Sequence, residues 1–178
     1  ACKGALGRAY TKELDLEAVS VPKDVDLSGV EMFQAQLARA SLEAVSFRKA
    51  CLRSATLTSA SMKDCDLNGA DLVDANLSHS KLDGASLAEA RATQAILLGA
   101  QAPGADFRRA TLAKANLKTS NLKGADLSEA DLEGASMSKV DLEGAQLIRA
   151  QMAYADLRSA RLNGAKLSGA ALSKATLR

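Results

Sequence analysis

The 178-residue sequence is 47% hydrophobic but only 3% aromatic and lacks Trp, so its core must be built from Ala and Leu rather than from large rings. Its 23 basic and 21 acidic residues leave a net charge of +2, which excludes both the concentrated basic footprint of a nucleic-acid binder and an acidic tail. No apolar run approaches the roughly 20 residues of a membrane-spanning helix, and one soluble domain is expected.

The chain begins with Ala1, as expected of a mature protein freed of a targeting peptide or of a trimmed sequence. Residues 1–24 are out of phase with the pattern beyond them and are expected to cap its first layer. Leu6, Tyr10 and Leu14 recur at a spacing of four, which predicts a short helix within residues 5–19, stopped by Pro22.

From residue 25 onward each group of five reads small, polar, large, x, x, as in Ala70-Asp71-Leu72, Ala125-Asp126-Leu127 and Ala155-Asp156-Leu157. The large position falls at every residue number ending in 2 or 7; from 27 to 177 there are 31 such positions, and 29 hold Leu, Met or Phe. Ala92 and Ala102 are the exceptions, and the phase never slips. Five residues of α-helix advance about 500°, so the Leu stripe would wander around a helix instead of facing one core. In extended backbone the small and large positions, two apart, point the same way. The remaining two residues then turn a corner, and stacked coils satisfy each other's backbone groups.

These A(D/N)LXX pentads, such as Ala75-Asn76-Leu77 and Ala130-Asp131-Leu132, resemble the pentapeptide-repeat family over residues 25–178, which is 154 of 178. The resemblance implies an all-β fold, a right-handed quadrilateral β-helix with four pentads per coil. Over 154 residues that gives 7.7 coils and, at the spacing of paired strands, a rod on the order of 37 Å long. The division is then a cap over 1–24 and the β-helix over 25–178.

Side chains 20 apart fall into columns on four faces. Face one carries Leu27 to Leu167 inward, face two Met32 to Leu172, face three Leu37 to Leu177, and face four Leu42 to Leu162. Ala92 and Ala102 lie on opposite faces of one coil, where a narrowed layer or a distorted corner is expected. Gly84, Gly104, Gly124, Gly144 and Gly164 form one column on face four, which predicts stacked type II turns at that corner.

The candidate partner contacts are the outward Ile96 and Leu98 with nearby Pro103, a basic face three, and the end of the array. Over residues 26–178 face three bears Arg39, Lys118, Lys139, Arg158 and Arg178 against Asp156 alone, a net of +4, and also the only His, His79. Such a face suits an acidic protein or anionic headgroups. The repeat runs to Leu177 and Arg178 without a capping motif, so a partner, or a second copy joined end to end, is expected there. Phe33, in the first coil, is expected to meet the N-terminal segment.

No catalytic, cofactor-binding or metal-ligating residues are assigned. One His supports neither a nucleophilic triad nor a zinc cluster. Asp66, Asp106 and Asp126 share a column, but Asp or Asn before the large residue is the family's consensus. Cys2, Cys51 and Cys65 lack metal-ligand spacing. Cys51 is placed outward on face two and Cys65 inward on face one, so no bridge between them is expected, and all three are read as small buried or surface residues. The expected function is a non-catalytic scaffold for protein partners, without nucleic acid. By resemblance it is an accessory subunit on the lumenal side of a photosynthetic membrane complex in the chloroplast thylakoid, with the bacterial cytoplasm as the alternative location. The family also includes DNA mimics that bind gyrase, but mimicry depends on a strongly acidic rod, which +2 disfavours.

Overall fold

A computed structural model describes residues 14–177 as a four-sided right-handed β-helix. Every described pentad contributes one residue to a parallel bridge with a neighbouring coil, as in Asp26 with Ser46 and Asp131 with Gln151. From Asp26 to Thr176 the bridge partners are always 20 residues apart, so no coil gains or loses a residue.

The pentad Ala130–Gly134 shows why five residues suffice. The N–H of Ala130 closes its corner onto the Leu127 carbonyl, that of Asp131 donates down to Ala110, and those of Leu132 and Gly134 donate up to Gln151 and Ala153. The remaining N–H, on Glu133, donates to Oδ1 of Asp131 at 3.0 Å. All twelve Asp and Asn residues that precede an inward large residue make this same bond to the N–H two positions on. The consensus carboxylate or amide therefore satisfies the one donor that the ladder leaves free.

Inward, the small and large positions fill the rod. From Leu37 to Leu157 the large side chains are almost wholly buried, and Val45, Val140 and the Ala residues between them likewise. Each Leu so buried contributes about 1.5–3 kcal/mol, which offsets the near absence of aromatic rings. Phe47 and Phe107 are the largest of these side chains.

Two expectations are corrected. The helix expected within residues 5–19 is not formed by its described part: Asp15 and Ser20 bridge to Gln36 and Ser41, each 21 residues on, in pentads of the ordinary kind. Residues 5–13 lie outside the described residues. The offset of 21 arises because the corner at Pro22 holds one extra residue, which hides the earlier pentads from a fixed phase. Leu16 and Val21 take large positions and pack against the core, so β-helical backbone extends below residue 25. The positive-φ turn expected at the Gly column occurs there, Gly84 at +63° and Gly164 at +69°, but also at every other described corner, including 22 non-Gly residues from Ala18 to Lys174. From Leu27 onward the i to i+3 bonds across these corners give type II geometry.

The coil of Ala92 and Ala102 keeps its register, and both side chains are buried. Asp74 N–H to the Thr93 carbonyl and Gly84 N–H to the Pro103 carbonyl each span 3.2 Å, close to the 3.1 Å of Thr119 N–H to the Ser138 carbonyl in an ordinary coil. The corners after Ala92 and Ala102 keep their positive φ, +60° at Gln94 and +66° at Gly104, and their i to i+3 bonds of 3.1 and 3.2 Å, so the expected distorted corner is not seen.

Candidate interaction surfaces

Outward side chains come from three positions of each pentad, the bridge residue and the two corner residues. Because coils are in register, charges 18 or 20 apart meet, and the rod is laced by ion pairs. Asp71 is nearly buried beneath Arg91 at 2.9 Å and Arg53 at 3.8 Å. On face four, Lys123 and Arg161 both reach Asp141 and Glu143. On face one, Arg109 lies between Glu89 at 4.0 Å and Glu129 at 3.0 Å. With Ala88, Arg108 and Ser128 these three line a depression of about 320 Å³. Arg109 is paired with both of its acids, and Arg108 with Asp106 and Asp126 outside the depression.

The first coil changes the count on face three. Asp15 and Glu17 belong to that face, and Arg39 is hydrogen-bonded to Glu17. These two acids lower the net charge of the face from the +4 counted over residues 26–178 to +2. Arg158 grips Asp156 through two bonds of 2.8 Å, which lowers the carboxyl to about 2. Lys118 and Lys139 stand exposed on the same face. The basic character is therefore weaker than the sequence count.

Ile96 is 36% exposed on face three, with Leu98 beside it half-buried. His79 packs at the corner one coil below, over Gly99. Together they form a mixed apolar and imidazole patch, and Pro103 is half-buried at the next corner. Leu177 is 54% exposed, and Arg178 lies outside the described residues. Phe33 is 50% exposed, and the segment it was expected to meet lies largely outside the described residues.

Among the described residues no group of three or more His, Cys, Asp or Glu is placed to hold a metal, and no helix is long and apolar enough to cross a membrane. Cys65 faces inward as expected; burial pushes its thiol up to about 12, and its Sγ donates to the Leu42 carbonyl. Cys51 departs from expectation. It is 3% exposed and disulfide-bonded, although its position points outward. Three cysteines of which one faces the core leave a pair, and that parity was the available signal.

The model of the family "Pentapeptide repeats" matches in eight overlapping copies from residue 23 to 178. No curated protein matches the chain. Among solved structures, HetL of the cyanobacterium Nostoc sp. strain PCC 7120, a pentapeptide repeat protein involved in heterocyst differentiation regulation, is 29% identical. The match covers 95% of this chain and 89% of that one, with a TM-score of 0.53. A pentapeptide repeat protein of the Arabidopsis thaliana thylakoid lumen is 31% identical over 56% of this chain and 66% of that one, with a TM-score of 0.38. QnrB1, a plasmid-mediated fluoroquinolone resistance protein, is 18% identical over 94% of this chain and 84% of that one, with a TM-score of 0.44.

Proposed function

The chain belongs to the pentapeptide-repeat family, and from that premise we propose that it is a non-catalytic scaffold that docks a protein partner on face three, around Ile96 and Leu98. The observation that carries this reading is the outward apolar pair at Ile96 and Leu98, set beside His79. Exposed Lys118 and Lys139 above it favour a partner with an acidic edge. The finer reading is an accessory subunit on the lumenal side of a photosynthetic membrane complex. The disulfide at Cys51 supports a compartment that sustains such bonds, unlike a reducing cytoplasm. The alternative, a gyrase-binding DNA mimic, is disfavoured by the net charge of +2, because mimicry depends on a strongly acidic rod.

The test is crosslinking mass spectrometry on material purified from the native source, with wild type compared against Ile96→Asp and Leu98→Asp. Crosslinks to one protein at Lys118 and Lys139, lost in both variants while the fold persists, are expected. Recovery of a monomer only, or crosslinks confined to other faces, removes the reading.

A further inference from the structure

Ile96 and Leu98 lie near the middle of face three, whose columns repeat every 20 residues. The bridge residues one coil to either side of Ile96, Asn76 and Asn116, are uncharged and half-buried. Charges flank this strip at the corner shared with face two. Asp74 lies 20 residues before Gln94 and Lys114 lies 20 after it. Both are exposed, and neither has an ion pair among the described residues. The neighbouring corner position repeats the arrangement, with Arg53 two coils below Thr93 and Glu133 two coils above.

Opposite charges thus stand at equal distances on either side of one coil. A two-fold axis through that coil, perpendicular to the rod, lays each column end for end on its own copy. It sets Asp74 of one protomer against Lys114 of its partner, Arg53 against Glu133, Asn76 against Asn116, and Ile96 and Leu98 against themselves. In this register no column of the described face opposes two like charges. Sliding one rod by a coil would oppose Asp74 to Gly134 and Lys114 to Gln94, so the charge pairs fix a single register.

We infer that face three is the interface of an antiparallel dimer, in which a second copy of this chain covers Ile96 and Leu98. The inference rests on the reading of those two residues as a docking site and names its occupant. The apolar pair supplies a centre from which water is excluded, and the flanking pairs set direction and register. The four coil spacings from Arg53 to Glu133 span roughly 19 Å. So short a contact makes the association reversible.

The experiment is sedimentation velocity of the full chain over a concentration series at low salt, with the fold of every variant checked by circular dichroism. A monomer–dimer equilibrium that weakens as salt is added is expected. Lys114→Glu and Asp74→Lys should each raise the dissociation constant by about tenfold or more. Mixing the two single variants, or combining them in one chain, should restore the wild-type value, because every Lys then faces an acid again. Ile96→Asp should abolish the dimer. Carbodiimide crosslinking of a mixture of isotopically light and heavy protein should join Asp74 to Lys114 in peptides of mixed label. A folded monomer at every concentration overturns the inference. If that monomer still binds a foreign protein and loses it on Ile96→Asp, docking at Ile96 stands and the second copy as occupant falls. A dimer indifferent to Ile96→Asp and to both charge reversals uses another face, and it overturns the inference as well.

Discussion

The imidazole of His79 occupies the space that a Cβ at residue 99 would need, with Nδ1 2.7 Å from where that atom would sit. Gly99 also has φ of +64°, so two separate penalties act there. Gly104 has φ of +66° but nothing within 4 Å of its missing Cβ. Gly104→Ala should cost about 1 kcal/mol from backbone strain alone, and Gly99→Ala more. In the double variant with His79→Ala, the excess should disappear. Urea melts of the four proteins measure this, and an undiminished excess would place the strain elsewhere.

Ser80 and Ser120 occupy the same inward column, two coils apart, and both are buried. Ser120 Oγ donates to the Leu117 carbonyl at 2.7 Å, whereas Ser80 Oγ has no partner. Ser120→Ala should cost about 1 kcal/mol, whereas Ser80→Ala should be neutral or stabilising, because it removes an unsatisfied hydroxyl. Equal losses at the two sites would contradict the assignment.

Asp131 supplies the acceptor for the Glu133 N–H. Asp131→Ala leaves that donor to water and should lose about 0.5–1.5 kcal/mol, while Asp131→Asn should retain most of the stability. A charge-only role would make both variants equally unstable in chemical denaturation.

Three carboxyls titrate low for local reasons. Hydrogen bonds from the guanidinium of Arg158 hold Asp156 at about 2, Arg108 lowers Asp106 in the same way, and Ser28 lowers Asp26. Unfolded Asp titrates near 3.9, so each contribution is fully present above about pH 4 and lost as pH falls through the folded value. The melting temperature should therefore drop between about pH 4 and pH 2. Arg108→Gln with Arg158→Gln should flatten that drop, and an unchanged slope would remove the attribution.

Leu132 is fully buried at mid-rod. An Asp there would bury a charge without a partner, at a cost of several kcal/mol. Leu132→Asp should abolish the cooperative thermal transition; a transition near that of wild type would show the inward assignment wrong.

The sequence alone determined the inward residue of each pentad from 25 onward, and its resemblance to the pentapeptide-repeat family implied four pentads per coil and therefore four faces. A period of five excludes a long helix, and Ala and Leu two apart label the interior of an extended, turning backbone. Tertiary structure decided what that period cannot carry. A single extra residue at Pro22 concealed the first coil, because a fixed phase reads an insertion as the end of the array. Ladder hydrogen bonds hold non-Gly corners such as His79 and Tyr154 at positive φ, which no local preference announces. The charge on face three fell because the first coil adds Asp15 and Glu17 to it, and only stacking brings Glu17 to Arg39, 22 residues on. Cys51 is of the same kind: its place on face two was legible, but its bond was not, because a disulfide depends on a proximity that a repeat pattern does not encode.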